Sequence, residues 1–349
     1  RGDGTLLVLG TDYSVSGNAI TFLDAGSTAS LLAGRAGTAA DASGANVVII
    51  TYDATVDTAI TASSTLQSTA TLSNYASVDG GTDFTPNDLT EVAGQQIAAP
   101  EIRKVFADGS LDDSDSSATH TSGNDLVIGE SMLYDIVVTL PEGGTQNLRI
   151  EDLIPQGMRL DTSFGTGGYE LILLAADSGA LSADFAGNVV VGTFTAVTGA
   201  LGDDGGDVRF TFTASTTSAD NNTGNNSFVL RVRLVASNIS DNQANKTLQN
   251  NAQLIYSDAD GDIPNGTTPV DRTVALTGGQ PSVVIREPTL TIDQTTVVRG
   301  DGQVDEGDLV EYIISISNGT SSNDFDAFDI SFLDNLPSQL GNVTLISVV

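Results

Sequence analysis

Polar and apolar residues alternate along this chain in short segments, with the period of two that is typical of half-buried β-strands. Clusters of Gly, Asp, Ser and Asn separate the segments, and no helical periodicity competes with the alternation. We therefore predict an all-β protein with very little helix. The predicted strands include residues 5–9, 19–23, 47–52, 69–72, 101–106, 169–174, 188–194, 207–212, 228–235 and 289–294.

One arrangement of strands occurs twice. Residues 129–155, GESMLYDIVVTLPEGGTQNLRIEDLIP, have a counterpart in residues 307–337, GDLVEYIISISNGTSSNDFDAFDISFLDNLP. In both copies a Gly and an acidic residue open a strand that has a Tyr five residues after the Gly. A polar turn and a second strand follow, with an Asp before Ile-Pro or Leu-Pro. Because the order matches as well as the composition, these segments are copies of one unit.

A second pair of segments has the same spacing. Residues 47–81 correspond to residues 229–262, and both contain Thr-Leu-Gln, at 65–67 and 247–249. Each pair of copies is separated by about 180 residues, which indicates a tandem repeat of modules with that length.

The repeat divides the chain into three parts. We expect the C-terminal part of one β-sandwich module at residues 1–97, a complete module at 98–283 and the N-terminal part of a further module at 284–349. Pro100 and Pro288 occupy equivalent places at the module boundaries, each before a predicted strand. No Gly/Ser linker separates the modules, so we expect them to stack end to end with limited flexing. The sequence is interpreted as a piece of a longer polypeptide.

Composition narrows the class of protein. The 349 residues carry a formal net charge of -32, which disfavours nucleic acid and anionic membranes as partners. Aromatic residues make up 5%, so cores of Val, Ile, Leu and Ala in narrow sandwiches are expected. There is no cysteine and therefore no disulfide, and no apolar run is long enough to insert into a membrane. An extracellular or cell-surface protein fits these properties.

The order of these features resembles the repeat domain of large bacterial and archaeal surface proteins. It is also similar to the isopeptide-forming repeats of Gram-positive fimbrial shafts, which implies tandem immunoglobulin-like β-sandwich modules. In such repeats a lysine on the first strand is joined to an asparagine on the last strand beneath a carboxylate. The matching residues here are Lys104, Asn251 and Asp152. The alternation with Ile102 directs Lys104 inward, and such a bond would replace the missing disulfides.

The flanking modules do not share this pair of residues. The third part has Ile292 or Gln294 where a lysine is expected, and the first has Thr69 in place of Asn251. Asp334 corresponds to Asp152 but lacks a matching lysine. The alternative interpretation of Lys104 is a lysine at the rim of an acidic surface.

Two acidic turns are candidate calcium sites. Each has carboxylates at alternate positions around a glycine, and hard oxygen ligands in this arrangement suit Ca²⁺. The alternative is an acidic turn without metal, since neither segment completes an EF-hand. The candidate ligands are Asp258, Asp260 and Asp262 in the first turn, and Asp301, Asp305 and Asp308 in the second.

The sequence gives catalysis little support, so we predict no enzyme. His120 is the only histidine, and no nucleophile elbow or phosphate-binding glycine loop is present. We expect a structural repeat segment of a surface filament or stalk, which provides length and stiffness and contacts copies of itself or adjacent modules of the same chain. The alternative is an adhesin segment that binds glycans or another cell through the polar loops 108–124 and 215–227.

Overall fold

The computed structural model describes residues 1–23, 42, 44, 46–76, 81–83, 87–107, 121, 123–173, 187–319 and 325–349. Within these ranges the regular structure is almost entirely β-strand, with a 3-10 turn at Thr223–Asn225. The prediction of an all-β fold with very little helix is confirmed. No helix in the described residues has the length and apolar character needed to cross a membrane.

The strands before residue 98 are β1 (Tyr13–Ser16), β2 (Ala19–Phe22), β3 (Thr65–Leu72) and β4 (Leu89–Gln96). The next strands are β5 (Glu101–Phe106), β6 (Asp125–Leu126), β7 (Ser131–Thr139), β8 (Gly143–Leu153), β9 (Met158–Leu160), β10 (Tyr169–Ile172), β11 (Val189–Val191), β12 (Phe194–Gly199), β13 (Val208–Phe212), β14 (Ala214–Thr217), β15 (Ser227–Ala236), β16 (Thr247–Gln249), β17 (Asn251–Asp258), β18 (Val270–Ala275) and β19 (Ser282–Ile285). The last strands are β20 (Leu290–Arg299) and β21 (Leu309–Asn318).

Strands β5 to β19 form a sandwich of two antiparallel sheets. The first sheet has the order β10-β15-β7-β5, with β9 also paired to β15. In the second sheet the long strand β8 pairs with β13 and β14 along one edge and with β17 along the other, and β17 pairs with β18. A small sheet with the order β16-β19-β6 completes this part of the chain.

The sandwich core follows from the alternation of each strand. In β7, Tyr134 and Ile136 are fully buried and point toward the second sheet, which contributes Ile150 and Phe210 to the same cluster. Aromatic rings pack edge to face there, with the centroids of Phe212 and Phe228 6.0 Å apart. The apolar stripes of the two sheets therefore meet in one continuous core.

The remaining strands form two-stranded pairs, β1 with β2, β3 with β4, and β20 with β21. Their apolar residues are largely exposed, as in Ile292 (63%) and Leu309 (63%). The division at residues 98–283 stays a prediction. The last strand of the sandwich, β19, crosses position 283, so the structure extends this part to Ile285.

Some predicted elements differ from the structure. Residues 5–9 and 47–52 were predicted as strands, but neither contains one, and Leu6 and Ile49 are exposed. Alternation defines a face but does not supply a pairing partner. The predicted loop 215–227 is shorter, because β14 and β15 include its ends; inward-facing Ser215 and Thr217 are polar, which hides the alternation. The predicted loop 108–124 and His120 lie largely outside the described residues.

Candidate functional site: a buried lysine, aspartate and asparagine

Lys104 lies inside the sandwich because of its position on β5. Ile102 and Lys104 point inward and are 1% and 2% exposed, whereas Glu101 faces solvent. Lys104 pairs with Ile136 of β7. Burial removes the hydration of the ammonium group and lowers the pKa of Lys104, although the carboxylate of Asp152 acts in the opposite direction.

Asp152 faces this amine from the second sheet. It pairs with Val208 of β13 on one side and with Ala252 of β17 on the other, and it is fully buried. The Nζ of Lys104 donates a hydrogen bond to Oδ1 of Asp152. Burial raises the pKa of Asp152, while Lys104 opposes this shift. Both pKa shifts favour a neutral amine beside a protonated carboxyl group.

Asn250 is the amide side chain that the structure places in this interior. It lies immediately before β17 and is 0% exposed, and its backbone N–H donates to the carbonyl oxygen of Pro281 at 3.0 Å. Its side chain is near enough to Asp152 to favour the charged carboxylate. Neither Nδ2 nor Oδ1 of Asn250 makes a hydrogen bond of regular geometry, and Oδ2 of Asp152 also has none. A buried amide side chain that lacks hydrogen bonds lowers the stability of a folded protein.

Asn251, the residue selected from the sequence, has a different environment. Its carbonyl oxygen lies 3.4 Å from Nζ of Lys104, but its side-chain Oδ1 accepts a hydrogen bond from the backbone N–H of Ala252. In β17 the residues at even positions are buried, among them Ala252 and Leu254. That alternation, extended back by one step, indicates Asn250 and could have found it in the sequence.

An aromatic ring completes the site. Nζ of Lys104 lies 5.3 Å from the ring centroid of Tyr134, and this tyrosine is fully buried. Burial, followed by the charge of Asp152, raises the pKa of Tyr134. The tyrosine that defines the repeated motif therefore shields the lysine from water on one side.

The equivalent residues outside the sandwich do not repeat this chemistry. Gln294 pairs with Ile314 in β20 and β21, as Lys104 pairs with Ile136, so Gln294 is the structural counterpart of the lysine. Its Nε2 lies 3.5 Å from Oδ2 of Asp334, the counterpart of Asp152. An amide there cannot act as the nucleophile.

The first acidic turn is paired with an arginine from the neighbouring strand β18. Arg272 forms ion pairs with Asp258 at 2.9 Å and with Asp262 at 2.7 Å. Asp258 and Asp260 are almost completely buried, and burial followed by the hydrogen bond with Asp260 raises the pKa of Asp258. Arg272 thus supplies the positive charge that these carboxylates need.

The second acidic turn is held by its own hydrogen bonds. Oδ1 of Asp301 accepts from the backbone N–H of Gln303 at 3.1 Å, and Oδ2 of Asp308 accepts from that of Asp305 at 2.8 Å. In the part of the chain that the structure describes, no group of three or more His, Cys, Asp or Glu residues could hold a metal ion. Calcium binding by these two turns stays a prediction that calorimetric titration can test.

Comparison with solved structures finds neighbours that are themselves pilins and surface proteins. No family model matches the chain, and no curated protein matches it. Its structural neighbours include BcpA, the major pilin subunit of Bacillus cereus, with a TM-score of 0.29 and 12% identity over 63% of this chain and 56% of that one. The full-length major pilin SpaD from Corynebacterium diphtheriae gives 0.26 and 15%, over 61% and 40%.

The pilus backbone RrgB from Streptococcus pneumoniae gives a TM-score of 0.26 and 13% identity over 62% of this chain and 51% of that one. This chain therefore spans about half the length of these pilins. The resemblance to fimbrial repeats seen in the sequence has counterparts among solved structures. At TM-scores below 0.5, these likenesses carry no weight for the function of this chain.

Proposed function

We propose that this chain is a structural repeat segment of an extracellular filament or stalk, and that its central module is closed by an isopeptide bond between Lys104 and Asn250. The observation that carries the proposal is the burial of Lys104, Asp152 and Asn250 together between the two sheets. A lysine on β5 and an asparagine at the start of β17 belong to different sheets, so a covalent bond between them ties the sandwich together.

The bond forms without a further reactant. The neutral Nζ of Lys104 attacks Cγ of Asn250, while the protonated carboxyl group of Asp152 polarises the amide oxygen. Asp152 then transfers a proton from the attacking nitrogen to the leaving amide nitrogen. The C–N bond of the amide breaks, ammonia leaves, and Asp152 regains its starting protonation. Burial lowers the pKa of Lys104 and raises that of Asp152, and both directions favour the protonation states that this step requires.

Single-molecule force spectroscopy on the full chain tests this mechanical role. In the cross-linked protein, the residues between Lys104 and Asn250 are bypassed by the bond and do not extend, which hides about 500 Å of contour length. Asn250→Ala releases this length when the sandwich unfolds. The matched control Asn251→Ala keeps it hidden. Equal extension of the wild type and Asn250→Ala would contradict the proposal.

An adhesin role is the second candidate, and one observation favours it. An open groove of about 650 Å³ lies at one end of the sandwich, between residues 97–101, the β7–β8 turn and the segment 221–226. Leu140 and Pro141 contribute apolar atoms to the lining of the groove, and Asn221 and Thr223 contribute polar atoms. Binding of the full chain to a glycan array, lost in Asn221→Ala, supports this role; an array without binding removes it.

A further inference from the structure

We infer that residues 60–65 form a connector that couples one module to the next by docking on the end of the following sandwich. The inference does not depend on the Lys104–Asn250 bond. The connector adds to the beginning of β8: the backbone N–H of Ala62 donates to the oxygen of Gly144 at 2.9 Å, and the N–H of Gly144 donates to the oxygen of Ile60 at 2.9 Å. This exchange is a short piece of sheet between two modules.

Side chains of the connector enter the sandwich. Ala62 is 1% exposed and belongs to the core cluster of the central module. The hydroxyl of Ser63 contacts the hydroxyl of Tyr256, and both residues are buried. Oδ2 of the buried Asp260 accepts a hydrogen bond from the backbone N–H of Thr65 at 2.6 Å. The first acidic turn therefore has a role at the junction between modules.

The receiving surface is shaped for this segment. Gly143 has a φ of +103°, and a Cβ atom at this position would lie 2.9 Å from Cγ1 and 3.0 Å from the carbonyl oxygen of Ile60. Any side chain at Gly143 would displace the connector, and the positive φ also disfavours other residues. The polar turn of the repeated motif contains this glycine, so the motif serves the junction as well as the core.

The central module contains an equivalent connector. Residues 60–67 read ITASSTLQ and residues 242–249 read NQANKTLQ. Ser63 and Asn245 have left-handed φ values of 65° and 68°. The backbone N–H of Ile97 donates to the carbonyl oxygen of Ser64 at 2.9 Å, and the backbone N–H of Ile285 donates to the carbonyl oxygen of Lys246 at 2.8 Å. The same local structure thus occurs at both module boundaries.

The two connectors differ in the partner of one amide. The N–H of Ala62 reaches the following sandwich, whereas the N–H of Ala244 donates to Oε2 of Glu287 at 2.9 Å. Glu287 lies directly before Pro288, in the place that Ala99 has before Pro100. Ala244 is exposed. The carboxylate of Glu287 therefore accepts the hydrogen bond of the amide that, in the first connector, joins the following sandwich.

Hydrogen exchange on the full chain tests the coupling. We expect the amide of Ala62 to exchange at least about tenfold more slowly than that of Ala244, because Ala62 is buried against the sandwich whereas Ala244 is exposed. Ala62→Arg cannot be accommodated in the core and should accelerate exchange at the amide of Gly144 by a similar factor. The matched control Ala244→Arg should leave the Gly144 amide unchanged.

A second variant alters the receiving surface. Gly143→Val should accelerate exchange at Ala62, and Gly341→Val, where the added Cβ meets nothing within 4 Å, should not. Protection at Ile136 in both variants reports that the sandwich itself remains folded. Equal exchange at Ala62 and Ala244 in the wild type, or an unchanged Gly144 amide in Ala62→Arg, would overturn the inference. Neither result depends on the cross-link, which is detected separately by mass.

Discussion

The strand pairs β5–β7 and β20–β21 come from equivalent segments of the repeat, yet they bury their side chains very differently. Tyr134 is 0% exposed, whereas its counterpart Tyr312 is 37% exposed. Both pairs form the same antiparallel ladder. Within the described residues, β5–β7 is covered by a second sheet whose strands come from later in the module, and β20–β21 has no such cover. The alternating pattern is therefore sufficient for a hairpin, but burial requires the other half of the module.

The two strand pairs also differ in the chemistry that their environments allow. A buried amine can be neutral and nucleophilic only where a second sheet excludes water, as it does around Lys104. The uncovered hairpin has Gln294 at that place. The proposed cross-link and a complete core therefore belong to the same part of the chain, the central sandwich.

The largest expected effect comes from removing the acceptor amide. The proposed bond between Lys104 and Asn250 would close a loop of about 146 residues, and covalent closure of a loop of that size contributes about 5 kcal/mol. Asn250→Ala should lower the free energy of unfolding of the sandwich by about that amount in urea titrations, in keeping with loss of a cross-link. Asn251→Ala is the control and should cost less than about 1 kcal/mol. Equal stability of the two variants would contradict the role of Asn250.

The next largest difference should come from truncating an apolar side chain in each region. Phe210 is 0% exposed among other aromatic rings, so Phe210→Ala should destabilise the sandwich by about 3 to 5 kcal/mol. Ile316 in β21 is 44% exposed, and Ile316→Ala should change stability by no more than about 0.5 kcal/mol. Thermal unfolding of both variants measures the difference. A similar cost for both would mean that the hairpin is covered in solution.

Breaking an ion pair should likewise cost more stability in the sandwich than in the β20–β21 hairpin. Asp135 and Arg231 form a bidentate pair with distances of 2.7 and 2.8 Å, and their side chains are 1% and 11% exposed. Asp135→Ala should cost about 3 kcal/mol, because a buried arginine loses its carboxylate partner. Glu311 pairs with the 62% exposed Arg299, and Glu311→Ala should cost less than about 1 kcal/mol. Urea unfolding with and without added salt distinguishes the pairs, since salt screens only the exposed one.

The smallest expected effect is the loss of stability at acidic pH that involves Asp161. Hydrogen bonds from Ser163 and the charge of Arg233 outweigh burial and hold the pKa of Asp161 below its ordinary value. A lowered folded-state pKa stabilises the fold above the unfolded value of about 3.9, and this contribution is lost as the pH falls through the folded pKa. Asp161→Asn should therefore be less stable than the wild type at pH 6, with a difference that shrinks below pH 4. A difference that is independent of pH would refute this assignment.

Much of the fold could be predicted from the sequence, because alternation and the repeat define strands and their faces. Residues 101–106 illustrate this, since the alternation of their side chains correctly predicted that Lys104 points into the sandwich. Residues 47–52 illustrate the limit: they alternate but have no strand partner in the described structure. Pairing depends on contacts between distant segments, which local pattern does not contain.

The site was predicted less completely than the fold. Lys104, Asp152 and Asn251 were selected from the resemblance to fimbrial repeats. The proposed acceptor Asn250 lies one residue away from Asn251, and a shift of one residue in a strand reverses the face. The role of Asp260 at the junction could not be inferred, because it depends on Thr65, a residue far away in sequence. Such contacts are visible only once the connector is seen on the sandwich.

Intact mass spectrometry of the full chain tests the central claim most directly. We predict that the wild type is lighter than its sequence mass by one molecule of ammonia, and that a digest contains one branched peptide joining Lys104 to Asn250. Asn250→Ala and Asp152→Ala should have their full sequence masses. A wild-type chain at its full sequence mass, with Lys104 and Asn250 recovered in separate peptides, would contradict the account.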